Sequence, residues 1–224
     1  MKNIFGVNSA IPANKRLKNG YTMYEWIMRK KCFPAFWGRT LAGKDAMTKE
    51  EIDFLRSKNC KIVPMIRNFT EGQISADNGT NDAIYVVQVA KRLGIPPYKG
   101  IAIFVEVKPE WSINHNWMIT FGRVLSFYGY VPGFIGNTDS SKNFNFDRQC
   151  SHYVQFITST NEARAMYGAT EPKRAGVPAK WEPYCPSALQ PEDMHLWACG
   201  KTVFDKFVVE DVYARDEKVL ACMW

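Results

Sequence analysis

Histidine is scarce, three residues in 224, and none of the six cysteines stands in a C-x-x-C pair. The spacing grammar of a zinc site is therefore absent, and no cofactor is implied. No run of eighteen apolar residues occurs, so the sequence carries no membrane-span signal. There is no G-x-S-x-G elbow to activate Ser9, and His115, His152 and His195 carry no motif pairing them with a serine or cysteine. Glycine-rich phosphate loops are also missing. The opening stretch, MKNIFGVNSAIPANKRLKNG, has one lysine and then too few apolar residues before Asn8 for a signal-peptide core. The expectation is a chain that is cytoplasmic as synthesised, with cysteines as free thiols, meeting any cell wall through lysis or a non-standard route.

What is present is ordinary globular material, 46% hydrophobic and 23% charged residues, in a length that one α/β barrel can fill as a single domain over 1–224. The net charge of +7 favours anionic partners, but the 29 basic residues form no concentrated tract beyond the short 15–18 cluster. That distribution reads as a solvated basic surface rather than a nucleic-acid interface.

The most informative stretch is 99–110, KGIAIFVEVKPE. Five apolar residues at 101–105 are followed by ionisable ones at Glu106, Lys108 and Glu110. A strand covered on both faces carries charge only where it emerges, and in parallel α/β folds ligands bind at that end. Glu106 is the first candidate for a functional carboxylate. The alternative is an edge strand on which Glu106 and Lys108 pair in solvent.

Strand and helix patterns alternate through the rest of the chain. Strands are expected at 3–7, 33–37, 61–66, 101–105, 130–135, 152–157, 194–198 and 207–209. Helices are expected at 21–31, from 48 to 59 behind a Thr48–Glu51 capping box, at 82–93, and at 114–128. Residues 158–187 are rich in proline and glycine and show no periodicity. Eight strands with short connections predict a (β/α)8 barrel, with an open doubly wound sheet as the alternative.

With strand ends laid out, several stretches resemble the glycoside-hydrolase-like domains related to the family-25 lysozymes (muramidases), especially a bacterial group of that description. They are FGVNSA, FPAFWGRTLAG, MTKEEIDFL, KRLGIPPYKGIAIFVEV, YGYVPGFIGN, LWACG and VVEDVYARD. The resemblance implies a barrel whose strand ends bind or cleave a cell-wall sugar chain. In that family an Asp on strand 1, a D-x-E pair on strand 4 and an Asp on strand 8 line the pocket. The matching positions here are Asn8, the triplet Glu106-Val107-Lys108, and Asp211.

Two acids are thus replaced, by Asn8 and Lys108. Glycoside hydrolysis ordinarily needs one protonated and one ionised carboxyl, and a lysine beside Glu106 would favour the carboxylate. The expectation is a barrel that recognises peptidoglycan or a related anionic wall glycan with weak or absent hydrolysis. Two alternatives remain: an active glycosidase pairing Glu106 with Asp211 or Glu110 (Asp139 being a further rescue), and a structural module. The expected binding residues are Asn8, Trp37, Arg39, Arg67, Lys108, Asn137 and Trp197.

Overall fold

The computed structural model describes residues 3–162, 165–171, 178 and 180–224, and its eight strands close into a barrel. In chain order the elements are β1 (Ile4–Asn8), α1 (Met23–Lys30), β2 (Phe36–Thr40), α2 (Lys49–Ser57), β3 (Lys61–Ile66) and the single turn α3 (Glu71–Ile74). They continue with α4 (Thr80–Arg92), β4 (Ala102–Glu106), α5 (His115–Phe127), β5 (Val131–Gly136), α6 (Asn145–Thr160), β6 (Met166–Glu171), β7 (Met194–Phe204), β8 (Phe207–Ala214) and α7 (Glu217–Ala221). Neighbours from β1 to β7 pair in parallel, but β8 runs antiparallel to both β7 and β1. The expected barrel is present, with its last strand reversed.

Local signals account for most boundaries. Thr22 opens α1 with a full capping box: its hydroxyl accepts from Glu25 N at 3.2 Å, and Glu25 Oε2 accepts from Thr22 N at 2.8 Å. Thr48 caps α2 in the same way, accepting from Glu51 N at 3.3 Å. The Glu51 carboxylate does not complete the box; it turns inward and accepts from Ala13 N and Arg39 Nε, each at 2.8 Å.

Four expected strands need correction, and two of them only in extent: those expected at 194–198 and 207–209 run on to Phe204 and Ala214. The stretch at 152–157 is not a strand but the second half of α6. Its Tyr153, Val154 and Ile157 continue a buried face begun by Phe146 and Cys150, at helical spacing. Viewed through six residues, a helical stripe of aromatic and β-branched side chains imitates a strand; the sixth strand is Met166–Glu171. The second strand begins at Phe36, three residues later than expected, because Phe33 is exposed and Pro34 precedes the ladder. Of the 158–187 segment, residues 163–164, 172–177 and 179 lie outside the described residues.

Alternation along each strand separates two cores. Phe36, Val63, Met65, Phe104, Ile135, Leu196 and Val212 fill the barrel, while Val7, Trp37, Ile103, Val105, Phe134 and Trp197 pack outward with the helices. Glycines leave room for the large interior rings: a Cβ at Gly6 would lie 2.5 Å from the Phe36 ring, and one at Gly133 2.7 Å from Phe104. The floor is closed by the C-terminal segment. Val219 and Met223 join the interior cluster, and Trp224 exchanges backbone hydrogen bonds of 2.7 and 2.9 Å with Ile62. The Ala102 amide donates to Cys222 O at 2.9 Å, so the chain end occupies the gap between the starts of β3 and β4. Chemistry is left to the opposite end.

Candidate functional site

The inward alternation changes character where the strands leave the apolar interior. On β1 it passes from Gly6 to Asn8, on β3 from Met65 to Arg67 just beyond the strand, and on β4 from Phe104 to Glu106 and then Lys108. On the reversed β8 the same level is reached before the apolar residues, at Glu210 ahead of Val212. Register confirms the layer, because Asn8 pairs with Glu210 across the β1–β8 ladder. A cleft of about 350 Å³ opens above it, lined by Asn8, Ala10, Asp45, Arg67, Glu106, Lys108, Trp111, Lys201, Val208 and Glu210. Its size is that of a small-ligand site.

Arg67 organises the cleft floor. Its Nε donates to Glu106 Oε2, and its Nη2 donates to Glu210 Oε2 at 3.3 Å. That edge of a guanidinium commonly grips both oxygens of one carboxylate; here it is divided between two acids. Asn8 Nδ2 donates to the same Glu210 oxygen at 2.9 Å. Lys108 does not pair with Glu106, as the alternative edge-strand reading had it, but places its ammonium 4.4 Å from the centre of the Trp111 ring.

The two acids repel each other in a half-buried site. Burial first, and the nearby Glu106 carboxylate second, push the Glu210 carboxyl above the ordinary carboxylate range; Arg67, Lys201 and the Asn8 amide pull against that rise. Among the described residues, no group of three or more His, Cys, Asp and Glu side chains is placed to hold a metal ion.

Of the residues singled out from the sequence, the structure brings Asn8, Arg67, Glu106 and Lys108 together in the cleft. The others lie elsewhere. Asp211 points outward from β8: Lys31 Nζ is 3.0 Å from its Oδ2, and Thr202 Oγ1 donates to its Oδ1 at 2.8 Å. It pairs with Val7 rather than Asn8, so it sits on the helix-facing side of the ladder. Trp37 and Trp197 are fully buried in the outer core, Trp197 meeting Trp181 edge to face at 5.6 Å.

Arg39 is equally buried, because its guanidinium ties the β1 exit to α2. It donates to Glu51 Oε1 at 2.8 Å and to the carbonyls of Ser9, Ala10 and Asp45 at 3.0 Å each. Asn137 caps its own loop, accepting from Asp139 N at 3.0 Å, and Asp139 lies near Lys142. Glu110 is exposed and does not line the cleft.

Six cleft residues were missed by reasoning from the sequence: Ala10, Asp45 and Trp111 in loops, and Lys201, Val208 and Glu210. The last three belong to the β7–β8 hairpin, whose turn falls at Asp205 with a left-handed φ of 53°. The available signal was the run TVFDKFVV, two apolar segments separated by two polar residues, which is a hairpin pattern.

No protein-family model matches the sequence, and no curated protein does. Solved structures do match the architecture. An uncharacterized B. stearothermophilus protein superposes with a TM-score of 0.80 at 21% identity, covering 99% of this chain and 100% of that one. The bacterial lysozyme from Streptomyces coelicolor gives a TM-score of 0.59 at 11% identity, over 99% of this chain and 97% of that one. A family 25 lysozyme from Aspergillus fumigatus gives 0.53 at 10% identity, over 98% of both chains. The barrel has the family-25 lysozyme fold. At such identities the likeness is one of architecture, so the chemistry of this barrel rests on its own cleft. Among the described residues no helix is long and apolar enough to cross a membrane.

Proposed function

We propose that this lysozyme-type barrel recognises a cell-wall type glycan in the cleft above Glu106 and Glu210, and that its hydrolytic activity is weak or absent. The observation that carries the reading is the shared ion pair of Arg67 with both glutamates. Two-carboxylate hydrolysis needs one carboxyl protonated and the other ionised. A guanidinium in contact with both occupies an oxygen on each and pulls against the rise of the Glu210 carboxyl. The same arrangement suits binding: the remaining carboxylate lone pairs accept from sugar hydroxyls, and the half-buried Trp111 at the rim offers apolar surface to a sugar ring.

A second reading is favoured by the raised carboxyl of Glu210. A ligand that drew Arg67 aside would remove a cation that holds the Glu210 carboxyl down, leaving Glu210 as a proton donor across from Glu106, the two-carboxyl arrangement a glycosidase uses. One experiment separates the readings. Purified protein is incubated with peptidoglycan sacculi, and both the bound fraction and the release of reducing ends are measured. The expected result is binding with release at the level of a no-protein control. Release that disappears in Glu106→Gln and in Glu210→Gln supports the second reading, and absence of both binding and release removes the glycan assignment.

A further inference from the structure

The cleft separates its charges by depth. In the floor, Arg67 has committed Nε to Glu106 and Nη2 to Glu210, so its cation is already engaged. At the rim, Lys108 leaves the end of β4 beside Trp111, and Lys201 stands on the hairpin, paired across the ladder with Glu210. Both rim lysines are exposed, and among the described residues neither forms an ion pair within 4.0 Å. Among the described residues that line the cleft, the one acid besides Glu106 and Glu210 is the exposed Asp45.

A ligand carrying negative charge is repelled by the two glutamates below and attracted by the two ammonium groups above. A neutral sugar edge has the opposite preference, since its hydroxyls donate to the floor carboxylates. Beyond Lys201 the same hairpin face presents the exposed cross-strand pair Val203 and Val208, an apolar surface beside the cation.

Resting on the glycan reading above, we propose that the cleft selects glycans bearing anionic substituents, carboxylate or phosphodiester, and that Lys108 and Lys201 are the residues that recognise the charge. The neutral ring edge lies over Glu106 and Glu210, and the acidic substituent faces the lysine-bearing rim.

The test is calorimetric titration with three probes: a neutral N-acetylglucosamine oligomer, an oligogalacturonate, and a glycerol phosphate oligomer. Each is titrated into wild type and into the Lys108→Ala/Lys201→Ala double variant, at low and at physiological salt. Two solvent-exposed charge contacts predict that at least one anionic probe binds about tenfold more tightly than the neutral one at low salt. That preference shrinks with added salt and disappears in the double variant. A urea-unfolding midpoint equal to that of wild type shows that the variant is folded.

The carboxylate and phosphodiester arms identify which anion the rim prefers. Equal affinity of wild type for neutral and anionic probes overturns the charge selection while leaving the glycan cleft standing. A preference that survives in the double variant overturns the role of the two lysines. No binding of any probe removes the glycan reading itself.

Discussion

Arg67 holds Glu106 and Glu210 on one edge of its guanidinium, joining residues that lie on opposite sides of the chain's length but in the same layer of the barrel. The three side chains are 20%, 24% and 28% exposed, so the pairing is neither a freely solvated surface contact nor a dry one. Removing the cation leaves two carboxylates facing each other. Arg67→Met is expected to lower unfolding free energy by about 2 kcal/mol at pH 7, less than for a fully buried pair because solvent reaches the site. The deficit shrinks as pH falls and Glu210, whose carboxyl is raised, takes up its proton. Urea unfolding of wild type and variant at pH 4 and pH 7 checks this; an equal deficit at both values counts against the electrostatic account.

Asn8→Asp restores the acid that the family resemblance expects. It replaces an amide that donates to Glu210 at 2.9 Å with a third carboxylate, and its second oxygen would take the buried position now held by an unpartnered Oδ1 near Gly38. The expected result is a loss of about 1–3 kcal/mol at neutral pH, with the Glu210 carboxyl pushed higher still. Carboxyl titration by nuclear magnetic resonance reads the second effect directly.

Glu210 makes its own contribution to the pH dependence of stability. Its carboxyl is raised above the ordinary glutamate value of 4.5, so the folded state binds that proton more tightly than the unfolded chain. The associated stability is fully present below about 4.5 and is lost as pH rises through the raised value. Glu210→Gln removes the dependence. A stability profile from pH 4 upward should fall less steeply in the variant than in wild type.

Arg39 and Glu51 form the contrasting pair, 0% exposed on both sides. Arg39→Met strands a buried carboxylate and is expected to cost about 3–5 kcal/mol. The double change Arg39→Met/Glu51→Leu should recover part of that loss in the same unfolding measurement. A glycan affinity that tracks folded fraction alone, with no separate loss in folded protein, agrees with the position of Arg39 outside the cleft.

How much of this was legible in advance depended on parity and direction. Strands 1, 3, 4 and 5 read correctly because each is a compact apolar run, and counting outward from Phe104 by twos reaches Glu106 and Lys108 without any structure. On β8 the family resemblance put Asp211 in the pocket, at the exit of a strand expected at 207–209, whereas the strand runs the other way and presents its early residues at the rim. One residue of misplacement then exchanged Glu210 for Asp211, which faces Lys31 instead of the cleft. Trp37, Trp197 and Arg39 were drawn toward the site by their place in the sequence near strand ends, yet their parity points them into the helix layer. The helix at Asn145–Thr160 was obscured because only its second half was considered, where tyrosine, valine and isoleucine fall close together.

The hairpin that carries Lys201 and Glu210 projects past the ring of the barrel before it turns at Asp205. Its ladder pairs residue with residue, Val203 with Val208 and Phe204 with Phe207. Lengthening or shortening both arms by two residues each would preserve which side chains face the cleft, since facing repeats every second position, and would leave the register of the other strands untouched. The wall is therefore adjustable in discrete steps, which makes the hairpin tip a natural place to vary the length of ligand that the barrel accepts without disturbing the floor that holds it.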